Sequence, residues 1–194
     1  MQTANALEGS AIGAEFLSFF GGVWFLFALA ACGALDAVKA ALVLLCVLAF
    51  FSLAEWVKRA ARRFPLVPDD PAASNRFFWI NAAQWGTMFV LYQLLHWLGR
   101  EVYFVTAVAV VVGLHFFWLA RPLQNPSARG TGTMLLLWAV STVAFAPVEH
   151  LQSITAGGAG LILWQAAATA LATTIAAVRQ PLPEPAPCSP APAA

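Results

Sequence analysis

The chain has 194 residues, of which 61% are hydrophobic and only 10% are charged, and its mean hydropathy is +0.76. This composition excludes an ordinary soluble domain and indicates a multi-pass membrane protein. The net charge of +1 leaves no basic field for nucleic acid, so the lipid bilayer is the expected partner.

Six apolar stretches are long enough to cross a bilayer, since a helix needs about 20 residues for that. They cover approximately residues 15–34, 37–57, 76–98, 102–121, 131–151 and 155–178. Short connections join the first stretch to the second, the third to the fourth and the fifth to the sixth, which makes each pair antiparallel neighbours. The sequence therefore predicts an all-α polytopic membrane protein. Its six transmembrane helices form three antiparallel hairpins within one domain, residues 1–180.

Positive charge is distributed unequally between the two ends of this layout. Only Lys39 and Arg100 lie at one end, whereas the other end carries Lys58, Arg59, Arg62, Arg63, Arg76, Arg121, Arg129 and Arg179. By the positive-inside rule the basic end faces the cytoplasm. We therefore expect a bacterial cytoplasmic (inner) membrane protein with both termini in the cytoplasm. Residues 181–194 are rich in proline and alanine and are expected to form a disordered cytoplasmic tail.

The third predicted span carries polar groups in the middle of a hydrophobic run. An arc of about 120° on a helix contains Asn81, Gln84, Trp85, Met88, Tyr92 and His96. The opposite side, with Ile80 and Leu91, is expected to face lipid. His115 of the fourth span lies at a depth similar to that of Asn81 and Gln84, so we expect one inward-facing cluster. Its role is either hydrogen bonding between helices or a ligand or permeation site.

The fifth and sixth spans add further polar groups. An arc of about 100° on the fifth span holds Trp138, Ser141, Thr142, Phe145, Glu149 and Gln152, which predicts a second polar wall. Ser141 and Thr142 have an alternative role, bonding to carbonyls one turn earlier. Pro147 is expected to kink this helix near its outer end. Gln165 is the polar group of the sixth span.

Charged residues near the ends of the spans allow two further interpretations. At the outer end His96, Glu101, Glu149 and His150 are close in depth and are metal-ligand types. Because adjacent helical residues point about 100° apart and no HExxH spacing occurs, we predict no metal site, no cofactor and no catalytic residue. Interface residues or a pH-sensitive histidine fit better. At the inner end, Glu55 precedes Arg59 by four residues, which predicts a local ion pair.

Small residues dominate the sixth span, where alanines recur at small-xxx-small spacing: Ala166 and Ala170, and Ala168, Ala172 and Ala176. This spacing lets helix backbones approach closely in a membrane. The face is expected to pack either inside the bundle or against a second copy of the chain, which would make the protein a homo-oligomer.

One pattern extends over the central third of the chain and consists of Asn81, Gln84-Trp85, Val112-Gly113-Leu114-His115-Phe116 and Leu119-Ala120-Arg121. It resembles a segment found in an uncharacterised family of bacterial six-span integral membrane proteins. The three-hairpin plan is also similar in architecture to the HdeD-like acid-resistance membrane proteins. Arg63, Arg121 and Arg179 lie 58 residues apart, either because the hairpins are repeats or because arginine commonly ends cytoplasmic helices. These resemblances imply a fold and no activity.

Three functions are consistent with these patterns. The favoured one is a small carrier or channel for a small polar solute or ion, with polar walls on the third and fifth helices. The alternative is a non-transporting structural or assembly protein whose polar residues hold helices together. A membrane-embedded enzyme or haem protein using His96 and His150 is the least favoured, because no catalytic motif occurs.

Overall fold

A computed structural model describes residues 3–66, 71–120 and 126–180. These ranges form six α-helices and two short 3₁₀ helices, without a β-strand. The α-helices are α1 (Ala4–Ala31), α2 (Ala37–Ala61), α3 (Pro71–Trp97), α4 (Phe104–Leu119), α5 (Pro126–Phe145) and α6 (Leu151–Arg179). The 3₁₀ helices are Glu101–Tyr103 and Val148–His150. The predicted all-α class is confirmed. The predicted tail, residues 181–194, and Arg121 lie outside the described residues.

Four segments among the described residues are long and apolar enough to cross a membrane: Ala4–Ala31, Ala37–Ala61, Glu101–Leu119 and Val148–Arg179. Many of their large apolar side chains are exposed, such as Val38 and Leu45 on α2, as expected of a surface in contact with lipid. These features support a membrane protein. Helices α3 and α5 are not among these four segments, because the polar residues of α3 and the polar first two turns of α5 lower their mean hydropathy. Six spans therefore stay a prediction.

Glycine closes two of the short connections. Gly33 and Gly99 have φ angles of 68° and 63°, a left-handed conformation that glycine adopts without a steric penalty. In each turn a backbone N–H donates across the helix end, from Ala34 to Leu29 O and from Arg100 to Leu95 O, both at 2.8 Å. This is the Schellman pattern of helix termination. It ends α1 and α3 within a few residues of where the sequence predicts.

The connection between α5 and α6 differs from the prediction. A fifth span over residues 131–151 is wrong at its outer end, because α5 ends at Phe145 and residues 148–150 form a separate 3₁₀ helix. Pro147 therefore terminates the helix instead of kinking it. Proline has no N–H to donate and disfavours the helical conformation of Ala146, the residue before it. As a result Glu149 does not lie on α5, and α6 begins at Leu151.

Helix α6 is the centre of the bundle and packs against α1, α2, α4 and α5, most extensively against α1. Two glycine pairs bring backbones close together. A Cβ atom on Gly160 of α6 would lie 3.0 Å from Gly21 O of α1. A Cβ atom on Gly132 of α5 would lie 2.6 Å from Gly113 O of α4. Close backbone approach through small residues is the usual way that membrane helices associate. Helix α3 packs chiefly against α4, at the edge of the bundle.

Candidate functional site

The polar arc predicted on α3 only partly faces its neighbour α4. Asn81, Gln84 and Met88 are half-buried, whereas Trp85 and Tyr92 are 61% and 46% exposed and His96 is also exposed. Ile80 and Leu91, which were expected to face lipid, are half-buried too. The half-buried face is thus rotated toward the apolar side of the predicted arc, although the Tyr92 ring still packs edge-on against Phe104 of α4, with 5.3 Å between ring centroids.

Asn81, Gln84 and His115 do not form a hydrogen-bonded cluster in the part of the chain that the structure describes. Asn81 Nδ2 donates to Phe77 O of its own helix at 2.8 Å. The ring of half-buried His115 lies edge-on to Phe116, with 6.4 Å between ring centroids. A role for these residues in binding or permeation stays a prediction.

The outer end of α3 forms a polar corner with the following turn. His96 Nδ1 lies 2.8 Å from Glu101 Oε1, and the Tyr92 ring stacks on the His96 ring at a centroid distance of 6.1 Å. Gln152 Nε2 donates to Glu101 O at 3.4 Å, which ties the corner to α6. Glu149 and His150 are exposed on the 3₁₀ helix and do not join it. Among the described residues no three His, Cys, Asp or Glu side chains converge on a metal position.

A chain of buried threonine hydroxyls links three helices in the interior. Thr106 of α4, Thr155 of α6 and Thr142 of α5 are 5%, 0% and 3% exposed. Thr155 Oγ1 lies 3.1 Å from each of the other two Oγ1 atoms, and Thr142 Oγ1 donates to Ala139 O at 2.9 Å. Since Thr155 donates to Thr142, Thr106 donates to Thr155, and every hydroxyl proton has an acceptor. The chain thus fastens the three helices together.

Only one member of this hydroxyl chain, Thr142, was among the predicted site residues, and its predicted neighbour Ser141 is exposed. Thr106 and Thr155 were missed because a threonine in a spanning helix usually bonds to a carbonyl of its own helix. Trp138, on the predicted polar wall of α5, donates from Nε1 to Thr155 O at 3.2 Å. The wall therefore contributes to packing against α6.

A charged cluster joins α1 to α2. Lys58 Nζ lies 2.8 Å from Glu15 Oε1 and 2.6 Å from Glu55 Oε1, and only 13% of the Glu15 side chain is exposed. The predicted ion pair of Glu55 with Arg59 is not formed, although Arg59 does attract the Glu55 carboxylate at longer range. Lys58 pairs with Glu55 instead, because from its position on α2 its side chain reaches both Glu55 of the same helix and Glu15 of the adjacent helix α1.

Helix α6 has small residues on two different faces, one directed into the bundle and one directed outward. Its inward face, with Ala159, Gly160 and Ala167, is buried. Its outward face carries exposed residues within an arc of about 80°: Leu161, Gln165, Ala168, Ala172 and Ala176. Gln165 lies midway between Leu151 and Arg179, and its side-chain amide has no hydrogen-bond partner within the described residues. We call these five residues the outer α6 face.

No family model matches the chain, and neither a curated protein nor a solved structure matches it. The polar groups described above mainly hold helices together, and Gln165 is the one of them that points outward from the centre of an apolar helix.

Proposed function

We propose that the chain is a self-associating structural or assembly protein of a bacterial cytoplasmic membrane. In this proposal six transmembrane helices form three antiparallel hairpins, with both termini in the cytoplasm. Two observations support the layout. Consecutive helices pack in pairs, α1 with α2, α3 with α4 and α5 with α6. The start of α1 and the ends of α2 and α6 meet at one end, where Ala4, Ala61 and Val178 share a buried cluster.

Gln165 is the observation that carries the proposal of self-association. An amide without a partner is costly in hydrocarbon, which offers no hydrogen bonds. Helix α6 is apolar enough to span a membrane, and Gln165 is exposed at its midpoint. A second copy of the chain related by a two-fold axis would supply the missing partner, because the amide N–H of one copy can donate to the amide oxygen of the partner's Gln165.

The alanines beside Gln165 favour the same partner. Ala168, Ala172 and Ala176 are exposed at four-residue intervals, the spacing that lets two helix backbones come close enough for polar side chains to bond between them. The inner face of α6 already packs in this way against α1, where Gly160 lies against Gly21. The outer α6 face therefore has the composition of a helix–helix interface, but it is exposed.

Cysteine crosslinking tests this proposal. In a background without the natural cysteines, Ala168→Cys and Ala172→Cys should form disulfide-linked dimers in native membranes after mild oxidation. Matched controls are Val140→Cys on α5 and Leu45→Cys on α2, whose side chains are 64% and 63% exposed. The controls should stay monomeric. Equal crosslinking at all four positions would indicate random collision, and none at the α6 positions would reject the interface.

Transport of a small polar solute or ion is a second proposal, supported by the half-burial of Asn81, Gln84 and His115 on the adjoining helices α3 and α4. A water-filled path there would let a small water-soluble thiol reagent reach a cysteine at Gln84 or Met88, while cysteines at Val90 would be protected. Protection at all three positions, together with no ion flux in proteoliposomes, would reject transport, and the assembly proposal would then be the one that stands.

A further inference from the structure

The end of the bundle where α2 and α6 finish concentrates arginine side chains. Arg62 and Arg63 directly follow Ala61, and Arg179 directly follows Val178, and Ala61 and Val178 belong to one buried cluster. Arg59 lies one turn earlier on α2. All four arginines are exposed. We call Arg59, Arg62, Arg63 and Arg179 the arginine surface.

Carboxylates of the described residues neutralise the arginine surface only in part, since Glu55 attracts Arg59 and Arg62 without forming an ion pair with either. Among the described residues, none of the four guanidinium groups lies within ion-pair distance of a carboxylate, and Glu15 and Glu55 both pair with Lys58. Half-buried Glu8 of α1, also near this end, forms no ion pair with them. Within the described parts of α1, α2 and α6 at this end, Lys58 and the four arginines exceed the carboxylates Glu8, Glu15 and Glu55 by two charges. The Arg63 guanidinium packs 5.5 Å from the Phe64 ring centroid, a contact that leaves its N–H groups free to donate.

The surroundings of the arginine surface are those of a membrane interface. Trp56, 45% exposed, precedes Arg59 by three residues on α2, a spacing that places the two side chains on one side of the helix. Tryptophan at this place is typical of the headgroup level of a bilayer. Above it the same helix exposes Leu45 and Leu48, which lipid chains would contact. A ligand that fits both the arginine surface and the exposed leucines of α2 has an anionic head and apolar chains.

We propose that the arginine surface binds the phosphate of an anionic glycerophospholipid, whose acyl chains lie along the exposed apolar side of α2. Guanidinium groups match phosphate because two parallel N–H donors can bond two of its oxygens. This binding is independent of the self-association proposed for α6, since the two surfaces share no residue.

Lipid binding can be measured by native mass spectrometry on the full chain purified in a non-ionic detergent. The probes are phosphatidylglycerol and phosphatidylcholine with identical acyl chains. We expect phosphatidylglycerol to bind more tightly to the wild type. Arg59→Gln combined with Arg63→Gln should weaken its binding about thirtyfold, the ratio that corresponds to about 1 kcal/mol per arginine. Arg62→Gln with Arg179→Gln provides a second, separate variant should the first not fold.

The matched control is Lys39→Gln with Arg100→Gln, which removes the same charge at the opposite end of the bundle. It should keep the preference for phosphatidylglycerol. Equal binding of the two lipids to the wild type, or an equal loss in the control, would overturn the proposal. Displacement of phosphatidylglycerol by millimolar inorganic phosphate, but not by chloride at the same ionic strength, would also overturn it in favour of a site for the free anion.

Discussion

Replacing Thr155 with valine removes the central hydroxyl of the chain that joins α4, α5 and α6 while keeping the shape of the side chain. In the wild type Thr106 donates to Thr155, which donates to Thr142. The variant loses both bonds and leaves the Thr106 hydroxyl without an acceptor from α6. Thr142 keeps its bond to Ala139 O, so the change is confined to the contacts between helices.

The expected change in the free energy of unfolding follows from the loss of those two hydrogen bonds. Hydrogen bonds between membrane helices contribute about 0.6 kcal/mol on average and up to about 1.7 kcal/mol. Two lost bonds at a site that is 0% exposed therefore predict a fall in the free energy of unfolding of about 1–3 kcal/mol. The lower half of this range is expected, because the freed Thr106 hydroxyl can rotate toward a carbonyl of its own helix.

Unfolding by sodium dodecyl sulfate in mixed micelles, followed by circular dichroism, measures the effect. The control is Thr133→Val on α5, since Thr133 Oγ1 donates only to Arg129 O of its own helix, at 3.0 Å. The control should change stability by less than about 0.5 kcal/mol. A double-mutant cycle of Thr155→Val with Thr106→Val should give a coupling energy of about 0.6–1 kcal/mol. Strictly additive effects of the two substitutions would refute the hydroxyl chain.

Two further substitutions test the packing and the helix ends. Gly132→Ala should destabilise the same unfolding transition by about 1–3 kcal/mol, because its Cβ would lie 2.6 Å from Gly113 O, whereas Gly130→Ala, with open space around it, should be neutral or slightly stabilising. Asp36→Ala should loosen the start of α2 by removing the oxygen that accepts from the Lys39 N–H at 2.8 Å, while Asp36→Asn should retain that cap. Hydrogen bonds from the Lys39 side chain and backbone lower the pKa of the Asp36 carboxyl, so its charge stabilises the fold above the unfolded pKa and this contribution disappears as pH falls through the lowered folded pKa. The stability difference between wild type and Asp36→Asn at pH 7 should accordingly decrease as the pH falls below about 4 and vanish once the pH lies below the lowered folded pKa, and a difference that acidification leaves unchanged would contradict this origin.

Local signals in the sequence predicted several helix ends, although α1 begins at Ala4, well before the predicted start of the first span at residue 15. The predicted start of the second helix at residue 37 agrees with α2, because Asp36 caps it and Gly33 ends the helix before it. The run of apolar residues likewise indicated the four segments that are long and apolar enough to span a membrane. Pro147 was recognised as a disruption of the fifth helix. Because α5 ends at Phe145, two residues before it, Pro147 terminates the helix instead of kinking it. Which of the two occurs depends on the turn that follows.

Contacts between helices were less predictable, for a physical reason. Helical periodicity places Gln84 and Tyr92 on one side of α3, but it does not say which part of that side meets α4, so half-buried Leu91 was assigned to lipid. The i, i+4 rule for ion pairs considers one helix at a time, and Lys58 reaches across to Glu15. Contacts between residues far apart in the sequence depend on how the helices are arranged side by side. Short-range patterns in one sequence do not specify that arrangement.

Energy transfer between labelled copies in lipid vesicles tests self-association through the outer α6 face most directly. Donor and acceptor dyes on exposed Cys32, with the other two cysteines replaced, report encounters without touching α6. Energy transfer should exceed the level of random proximity, decrease as lipid dilutes the protein, and fall to the random level when Gln165, Ala168 and Ala172 are all changed to leucine. Wild-type transfer that never exceeds the random level, or transfer that the triple variant leaves unchanged, would contradict the account.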